Sequence, residues 1–213
     1  MEGTARVPKA VRKSEWRDGF LFLGNHLALD FLNTRPVQNG EAVELLSDFA
    51  ALLRWFQAAG LLSSRESATL QRQWGESARA QHVVEAIREL RERLRKEVLA
   101  RERGGIVHQA AIDELNHLMA EHPMLTRLKT TYSGSTTELW FDPRHPEDLF
   151  APLAYSAATL FSDVDRNRVR KCAQCVLHFH DTSKKGTRRW CSMQLCGNRL
   201  KVAAYAARQR TSD

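Results

Sequence analysis

All four cysteines of the chain fall in one stretch, and their spacing is that of a zinc site. The stretch is CAQCVLHFHDTSKKGTRRWCSMQLCGNR, in which Cys172 and Cys175 form one pair and Cys191 and Cys196 the other. A C-x2-C pair fits on one tight turn, so both of its sulfurs can reach the same ion. The second pair places its last cysteine at the start of a helix, where free N–H groups and the helix dipole favour a thiolate. The spacing therefore predicts one structural Zn²⁺ held by four thiolates.

A closed four-thiolate site also limits the chemistry of the chain. Four sulfurs complete a tetrahedron and leave no position for water or substrate, so we expect no zinc catalysis and no ligand from His178 or His180. Cysteines at metal spacing, in a chain with no apolar signal segment, favour a reducing cytoplasm over disulfides. No apolar run approaches the ~20 residues of a membrane span, so we expect no membrane partner.

Positive charge is concentrated at the C-terminal end of the sequence. Residues 1–164 contain 20 Lys and Arg against 22 Asp and Glu, whereas residues 165–213 contain 12 against 3. Zinc bound by four thiolates carries a charge of −2, which lowers the net charge of the second segment from +9 to +7. A segment this basic favours an anionic partner, and we expect DNA ahead of RNA. The alternative is a solvated basic tail.

The residues around the cysteines predict a small hairpin followed by a helix. Val176–Asp181 alternates like a strand, Lys184–Gly186 is typical of a turn, Thr187–Trp190 is the expected returning strand, and Gly197–Arg210 is the expected helix. Because Arg and Lys bind phosphates and Arg can read guanine in the major groove, the candidate nucleic-acid contacts are the basic side chains of these elements. They are Lys184, Lys185, Arg188, Arg189, Arg199, Lys201 and Arg208.

Three residues of this segment have a second interpretation. Trp190 lies between the two basic groups, and we expect it to pack in the interior more than to stack on bases. Asn198 and Arg199 follow the last cysteine. They either contact nucleic acid or donate hydrogen bonds to the sulfurs and neighbouring carbonyls.

The rest of the chain predicts a mainly helical domain. A short strand is expected at Phe20–Leu23 and a hairpin at 128–132 and 138–141, and RELRERLRKE is expected to form a solvated helix face. Predicted helices cover 27–32, 43–60, 63–103, 107–121 and 147–163. Asn25 is a candidate cap of the first. The third has a capping box of Ser63 and Glu66 and a break or kink at Gly75.

These elements predict the fold class and the domains. The class is a mainly α N-terminal domain with a small β-hairpin, plus a small C-terminal four-cysteine zinc finger built of a β-hairpin and a helix. The domains are a partly mobile basic tail (1–18), the helical domain (19–165) and the finger (166–213).

Two motifs resemble known families. WCSMQLCGNRLK is closely similar to the CGNR zinc-finger family of bacterial proteins, and GNHLALDFLNTR resembles the opening motif of the ABATE domain that accompanies this finger. Together they account for nearly the whole chain after residue 18. The resemblance implies a stress-induced transcription regulator with a DNA-binding finger. It assigns the metal to Cys172, Cys175, Cys191 and Cys196, and its CGNR to residues 196–199.

The first of these regions also contains a polar cluster with two interpretations. Its members are Asn25, His26, Asp30, Asn33, Thr34 and Arg35. They could bind a small polar effector. We favour the alternative that they cap helix ends and tie loops to the core.

The sequence leaves three candidate functions to compare. The first is a DNA-binding transcription regulator whose helical domain senses an effector or forms a homodimer. The second is a zinc-stapled protein- or RNA-interaction module without sequence-specific DNA binding. The third is an enzyme, which we do not expect, because the sequence offers no nucleophile motif, phosphate loop or metal-binding carboxylate cluster.

Overall fold

The computed structural model describes residues 15–38, 40–132 and 134–197. Its helices are α1 Leu27–Leu32, α2 Phe49–Ala58, α3 Ser64–Trp74, α4 Ala78–Glu102, α5 Gln109–Glu121 and α6 Phe150–Ser162. Its strands are β1 Trp16–Arg17, β2 Phe20–Leu21, β3 Val37–Gln38, β4 Glu41–Ala42, β5 Leu125–Thr131, β6 Gly134–Trp140, β7 Val169–Lys171 and β8 His178–His180. Successive strands pair two by two as antiparallel hairpins. The mainly helical class with small hairpins and a four-cysteine unit is therefore confirmed.

The helical domain is assembled around one side of α4. The apolar residues that recur at helical spacing along this helix form a stripe that is buried along its full length. It consists of Val84, Ile87, Leu90, Leu94 and Val98. The largest fully buried side chain is Trp55 of α2, whose ring lies 5.3 Å from that of Phe56 and 5.8 Å from that of Phe31. Helical spacing of apolar residues thus located the core correctly.

Helix α2 begins six residues later than its apolar pattern predicts. Asp48 caps the helix, because its Oδ1 accepts the N–H of Ala51 at 2.8 Å. The preceding Leu46 is fully buried but lies in a loop, where its N–H donates to Glu44 Oε1 at 2.9 Å. Burial of a loop leucine therefore extended the apparent helical pattern beyond the real helix.

Helix α3 begins at the predicted capping box, and the predicted break after it falls at Gly75. Ser63 Oγ accepts the N–H of Glu66 at 3.2 Å, and Glu66 Oε2 accepts the N–H of Ser63 at 2.7 Å. Gly75 ends α3, and Ser77 opens α4 by accepting the N–H of Ala80 at 3.1 Å. The two helices are therefore separate.

The charged run of α4 is not wholly a solvated face, so that prediction was wrong in part. Glu89 and Arg93 do form the expected exposed ion pair, at 3.4 Å. Arg91, however, is only 1% exposed. Its Nη1 donates to Glu44 Oε1 and to Thr34 Oγ1, both at 2.8 Å. A guanidinium can be buried when fixed acceptors meet its donors, and the pattern of charges did not reveal these acceptors.

Two further features lie near the ends of the helical domain. Trp16 and Arg17, which belong to the predicted tail, form β1 and pair with β2, while residues 1–14 lie outside the described residues. Pro152 falls in the first turn of α6, where a missing N–H costs little.

Among the described helices, none combines the length and apolar character of a membrane span.

Candidate metal centre and nucleic-acid interface

The four cysteine sulfurs converge on one point. All four Sγ atoms lie within 4.8 Å of one another, and the Cys175–Cys191 and Cys191–Cys196 sulfurs are 3.7 Å apart. A tetrahedral zinc with Zn–S bonds of ~2.3 Å has S···S edges of about 3.8 Å. Cys172, Cys191 and Cys196 are buried, and Cys175 is partly buried. The donor set and its spacing therefore fit one Zn²⁺.

The electrostatics of the thiols show why this cluster needs a cation. A hydrogen bond from the Cys191 thiol lowers the pKa of Cys175 to about 5. The same hydrogen bond and burial raise the pKa of Cys191. Burial and the charge of Cys175 raise the pKa of Cys196 to about 12. Ionisation of Cys175 thus opposes ionisation of Cys191 and Cys196, and four thiolates at this separation require a divalent ion to offset their repulsion.

The first cysteine pair lies on the connection between β7 and β8. The strands pair from Val169 opposite His180 to Lys171 opposite His178. The N–H of Cys172 donates to Leu177 O at 2.8 Å and closes the turn. Pairing of residues 176–181 with a returning strand at Thr187–Trp190 was predicted and is wrong, because β8 pairs with the upstream strand β7 instead.

Side chains, not a strand ladder, hold the loop that follows β8. Asp181 is fully buried, and its carboxylate accepts the N–H groups of Ser183 at 3.0 Å and Arg188 at 2.7 Å. Arg168 Nη1 donates to the carbonyls of Asp181 and Ser183, and Arg170 Nη2 donates to Gly186 O at 2.7 Å. These contacts satisfy backbone groups that a strand would otherwise pair, so the loop can leave the extended conformation.

The second cysteine pair is held by a serine and by the start of the described chain. The N–H groups of Cys196 and Gly197 donate to Ser192 O at 3.1 and 3.0 Å, within a π-helical turn at Met193–Gly197. Ser192 Oγ accepts the N–H of Gln194 at 3.1 Å and donates to the carboxylate of Glu15 at 2.7 Å. Glu15 lies 177 residues away in sequence, so no local signal could have found it. The predicted helix after Gly197, with Asn198 and Arg199, lies outside the described residues.

Comparison with known families agrees with this arrangement. Residues 25–164 match the ABATE family, which is described as "Putative stress-induced transcription regulator", and residues 168–209 match the CGNR zinc finger. The chain belongs to the ABATE family. The match to the finger spans all four cysteines, and together with the sulfur geometry it confirms the predicted structural zinc site. A comparison with curated proteins found no match.

The segment just before the residues that match the ABATE family supplies part of the apolar shell around the sulfurs. Leu21 of β2 and the nearby Leu23 are buried in the same cluster as Leu177, Phe179 and the cysteines. Trp190 packs at the edge of this cluster, which is the interior role expected for it. The finger therefore shares its small core with this segment.

Two asparagines of the ABATE domain attach β8 through its backbone, and we call this pair the amide clamp. Asn33 Nδ2 donates to His178 O, and the N–H of His178 donates to Asn33 Oδ1, both at 2.9 Å and both buried. Asn25 Nδ2 donates to His180 O at 2.9 Å. Asn25 does not cap α1 as predicted, because His26 occupies the N-cap position and Asn25 adopts a positive φ of 54°.

The segment next to the clamp requires glycine at position 24. The carbonyl of Gly24 accepts the N–H of His180 at 2.7 Å. A Cβ atom at Gly24 would lie 2.7 Å from Leu29 Cβ and 2.8 Å from the backbone nitrogen of Asp30, so no side chain fits. Close packing of this turn on α1 brings its carbonyl to the finger.

The other members of the predicted polar cluster face different partners. Asp30 Oδ1 accepts the N–H of Gly24 at 2.7 Å, and burial raises the pKa of Asp30 to about 7. His26 Nδ1 lies 3.4 Å from Ser156 Oγ, which accepts the N–H of Ala28. Thr34 Oγ1 donates a hydrogen bond to Phe31 O and accepts one from Arg91 Nη1. Arg35 Nη1 lies 3.5 Å from Glu92 Oε1. These are the kinds of contact that the structural alternative expects.

His178 and His180 stand apart from the cysteines. Within the described residues, the group able to hold a metal consists of the four sulfurs. His178 is buried, its Nε2 lies 3.9 Å from Glu102, and burial lowers its pKa to about 4. A neutral buried histidine suits an interior position between finger and helix α4.

The predicted nucleic-acid residues separate into two groups. Lys184, Lys185 and Arg189 are exposed, with the Arg189 guanidinium 5.8 Å from the Trp190 ring centroid. Arg188 is half-buried, lies 4.8 Å from the Phe179 ring centroid, and donates to the carbonyls of Trp190 and Cys191. Arg188 thus supports the second cysteine turn. The remaining candidates, Arg199, Lys201 and Arg208, lie outside the described residues.

Proposed function

We propose that this protein is a DNA-binding transcription regulator of the bacterial stress response. In this proposal the zinc finger binds DNA, and the ABATE domain senses a small effector or forms a homodimer. The observation that carries it is the contrast between buried metal ligands and exposed cations. The zinc is enclosed and structural, whereas Lys184, Lys185 and Arg189 face solvent on the same small unit.

The state of the exposed cations supports an anionic partner. Within the described residues, some cations of the ABATE domain, such as Arg79, Arg93 and Arg127, are paired with carboxylates, whereas others, such as Arg54, Arg65 and Arg72, are not. No carboxylate of the described residues pairs with Lys184, Lys185 or Arg189. Cations that are exposed and unpaired are available to phosphates, and each phosphate contact releases a condensed counterion.

Salt dependence of DNA binding tests this proposal. The variant Lys184→Ala/Lys185→Ala/Arg189→Ala removes three charges from the finger. The matched control Arg54→Ala/Arg65→Ala/Arg72→Ala removes three exposed charges from the ABATE domain. The dissociation constant for a duplex DNA probe is measured against salt concentration by fluorescence anisotropy. The slope of log Kd against log salt concentration should fall by about 0.9 for every phosphate that the finger variant no longer neutralises.

The outcomes separate the candidate functions. A control variant with the parent slope, and a finger variant with weaker and less salt-dependent binding, support the proposal. Parent affinity that does not change with salt, or equal losses in both variants, would overturn it. Tighter binding to single-stranded or duplex RNA than to DNA would favour the RNA-interaction module instead.

The same site supports two subsidiary proposals. We propose that the chain is not an enzyme, because its sequence offers no nucleophile motif, phosphate loop or metal-binding carboxylate cluster, and a metal with four protein thiolates has no position for substrate. We also propose the cytoplasm as its location, where reduced thiolates persist.

A further inference from the structure

The hairpin of β5 and β6 is the longest pairing in the described structure, and it projects from the ABATE domain. Seven residue pairs run from Leu125 opposite Trp140 to Thr131 opposite Gly134. Its base is fixed by Met124 and Phe141, which pack on the core. Beyond the base it is exposed, and Leu128 is 73% exposed. Within the described residues this sheet has two strands only, a size that is marginally stable in water.

The two faces of the hairpin differ in charge. On one face Glu138 lies between Arg127 and Lys129, with the Lys129 Nζ 3.2 Å from Glu138 Oε2. The opposite face carries no charged residue. Its members are Thr126, Leu128, Thr130, Ser135, Thr137 and Leu139, since alternate residues of a strand share a face.

The two outer edges of the hairpin also differ. Strand β5 carries Arg127 and Lys129 and no acidic residue, so antiparallel pairing of two copies about Leu128 would place these like charges opposite each other. Strand β6, with the sequence GSTTELW, has no Lys and no Pro, which are the residues that commonly protect an edge. Its one charge, Glu138, is already balanced within its own hairpin.

We propose that β6 pairs with β6 of a second copy of this chain, giving a homodimer with a four-stranded antiparallel sheet. With a twofold axis at Thr137, the Thr137 residues of the two copies lie opposite each other. Glu138 of each copy then lies opposite Thr136 of the other, so no like charges face each other. A closed twofold interface of this kind needs one self-complementary edge, and the neutral centre of β6 supplies it. This inference specifies the dimerising role proposed above, and its failure would leave nucleic-acid binding by the finger untouched.

A charge swap at the axis tests the inference. The variants Thr137→Glu and Thr137→Lys each change an exposed residue, so the monomer should tolerate them. In the dimer each variant sets two like charges side by side, which should raise the dissociation constant of the dimer by about tenfold or more. An equimolar mixture of the two variants sets opposite charges together and should recover the dimer. The matched controls Thr130→Glu and Thr130→Lys change the outer strand β5 on the same face and should leave the dimer intact.

The measurement is the mass of the full chain by light scattering over a wide concentration range. The parent and the Thr130 variants should have twice the chain mass of 24.3 kDa, and each Thr137 variant alone should approach the chain mass. A monomeric parent, dimeric Thr137 variants, or a mixture that stays monomeric would each overturn the inference. The finger variant Lys184→Ala/Lys185→Ala/Arg189→Ala should dimerise as the parent does, which separates this result from a failure of DNA binding.

Discussion

The ABATE domain and the finger keep their folds by different means. The ABATE domain surrounds α4 with fully buried apolar side chains such as Leu29, Leu52 and Trp55. In the described part of the finger, the fully or largely buried carbon side chains around the sulfurs are Leu177 and Phe179. Leu21 and Leu23, which complete that cluster, lie just before the residues that match the ABATE family.

This difference shows how a small metal unit can be part of a larger fold. Full burial of one large apolar side chain contributes ~1.5–3 kcal/mol, so the ABATE domain gains its stability from many such side chains. The finger cannot do so and depends on zinc, on Asp181 with its neighbouring arginines, and on the amide clamp. We therefore expect its stability to respond to metal and to a few named hydrogen bonds, and that of the ABATE domain to respond to neither to the same degree.

Removal of zinc should separate the two regions most strongly. Structural zinc contributes on the order of 10 kcal/mol to the folding of small metal units. In the variant Cys191→Ser, or in the parent with a strong chelator, the amides of β7, β8 and the Met193–Gly197 turn should lose protection from hydrogen exchange. The amides of α4 should keep theirs, because the core around Ile87 and Leu94 contains no metal. Hydrogen exchange by mass spectrometry, with zinc analysis of the same sample, measures both.

The reference for this experiment is zinc returned to the chelated parent, which should restore protection. Finger amides that stay protected without metal would show that the packing of Leu21 and Leu23 suffices. Loss of protection throughout α4 would show that the ABATE domain also depends on the ion.

The sequence predicted the features that depend on local spacing. The cysteine spacing indicated the four sulfurs, Ser63 and Glu66 indicated a helix start, and the period of apolar residues indicated the buried side of α4. Each of these depends on residues close together in the chain. Local patterns are therefore sufficient where the physical cause is local.

The features that the sequence did not reveal depend on distant partners. Asn33 meets His178 across 145 residues, and Glu15 meets Ser192 across 177. Arg91 is buried because Glu44 and Thr34 happen to lie opposite it. The strand at Thr187–Trp190 was predicted from its composition, but the Asp181 carboxylate and two arginines take its place in holding the loop. None of these contacts leaves a periodic signal.

The amide clamp gives the second test of the difference between the finger and the ABATE domain. Asn33→Ala leaves the buried N–H and carbonyl of His178 without partners, which should cost about 2–4 kcal/mol of the free energy of unfolding. Asn25→Gly removes a single exposed hydrogen bond, keeps the positive φ of residue 25 accessible, and should cost about 0.5–1 kcal/mol. Urea unfolding gives the free energies, and competition with a zinc-binding dye gives the zinc affinity, which should fall more for Asn33→Ala.

Asn25→Gly is also the matched control, since both variants remove one asparagine amide from the ABATE domain and neither places a Cβ-bearing residue at the positive φ of residue 25. Equal losses for the two variants would contradict the role given to burial. An unchanged zinc affinity in Asn33→Ala would mean that the clamp holds β8 in place without helping the thiolates to bind.

The smallest expected effect concerns a histidine of the ABATE domain that lies away from the sulfurs. Burial, with the nearby His180, lowers the pKa of His26 from 6.5 to about 4. Between these two values the unfolded chain binds a proton at His26 and the folded chain does not. The free energy of unfolding should therefore fall as the pH falls from about 6.5 to about 4, by about 1–2 kcal/mol once residual solvent exposure is considered.

The variant His26→Gln isolates this contribution, because it removes the titrating ring and keeps an acceptor for the Ser156 hydroxyl. Acid also releases zinc, so the informative quantity is the difference between parent and variant at each pH, from urea unfolding with zinc content monitored. That difference should change through the window from about 6.5 to about 4 and become constant above it. A difference that is the same at every pH would mean that His26 remains solvated enough to titrate alike in both states. In that case His26 would contribute nothing to the acid sensitivity of the protein.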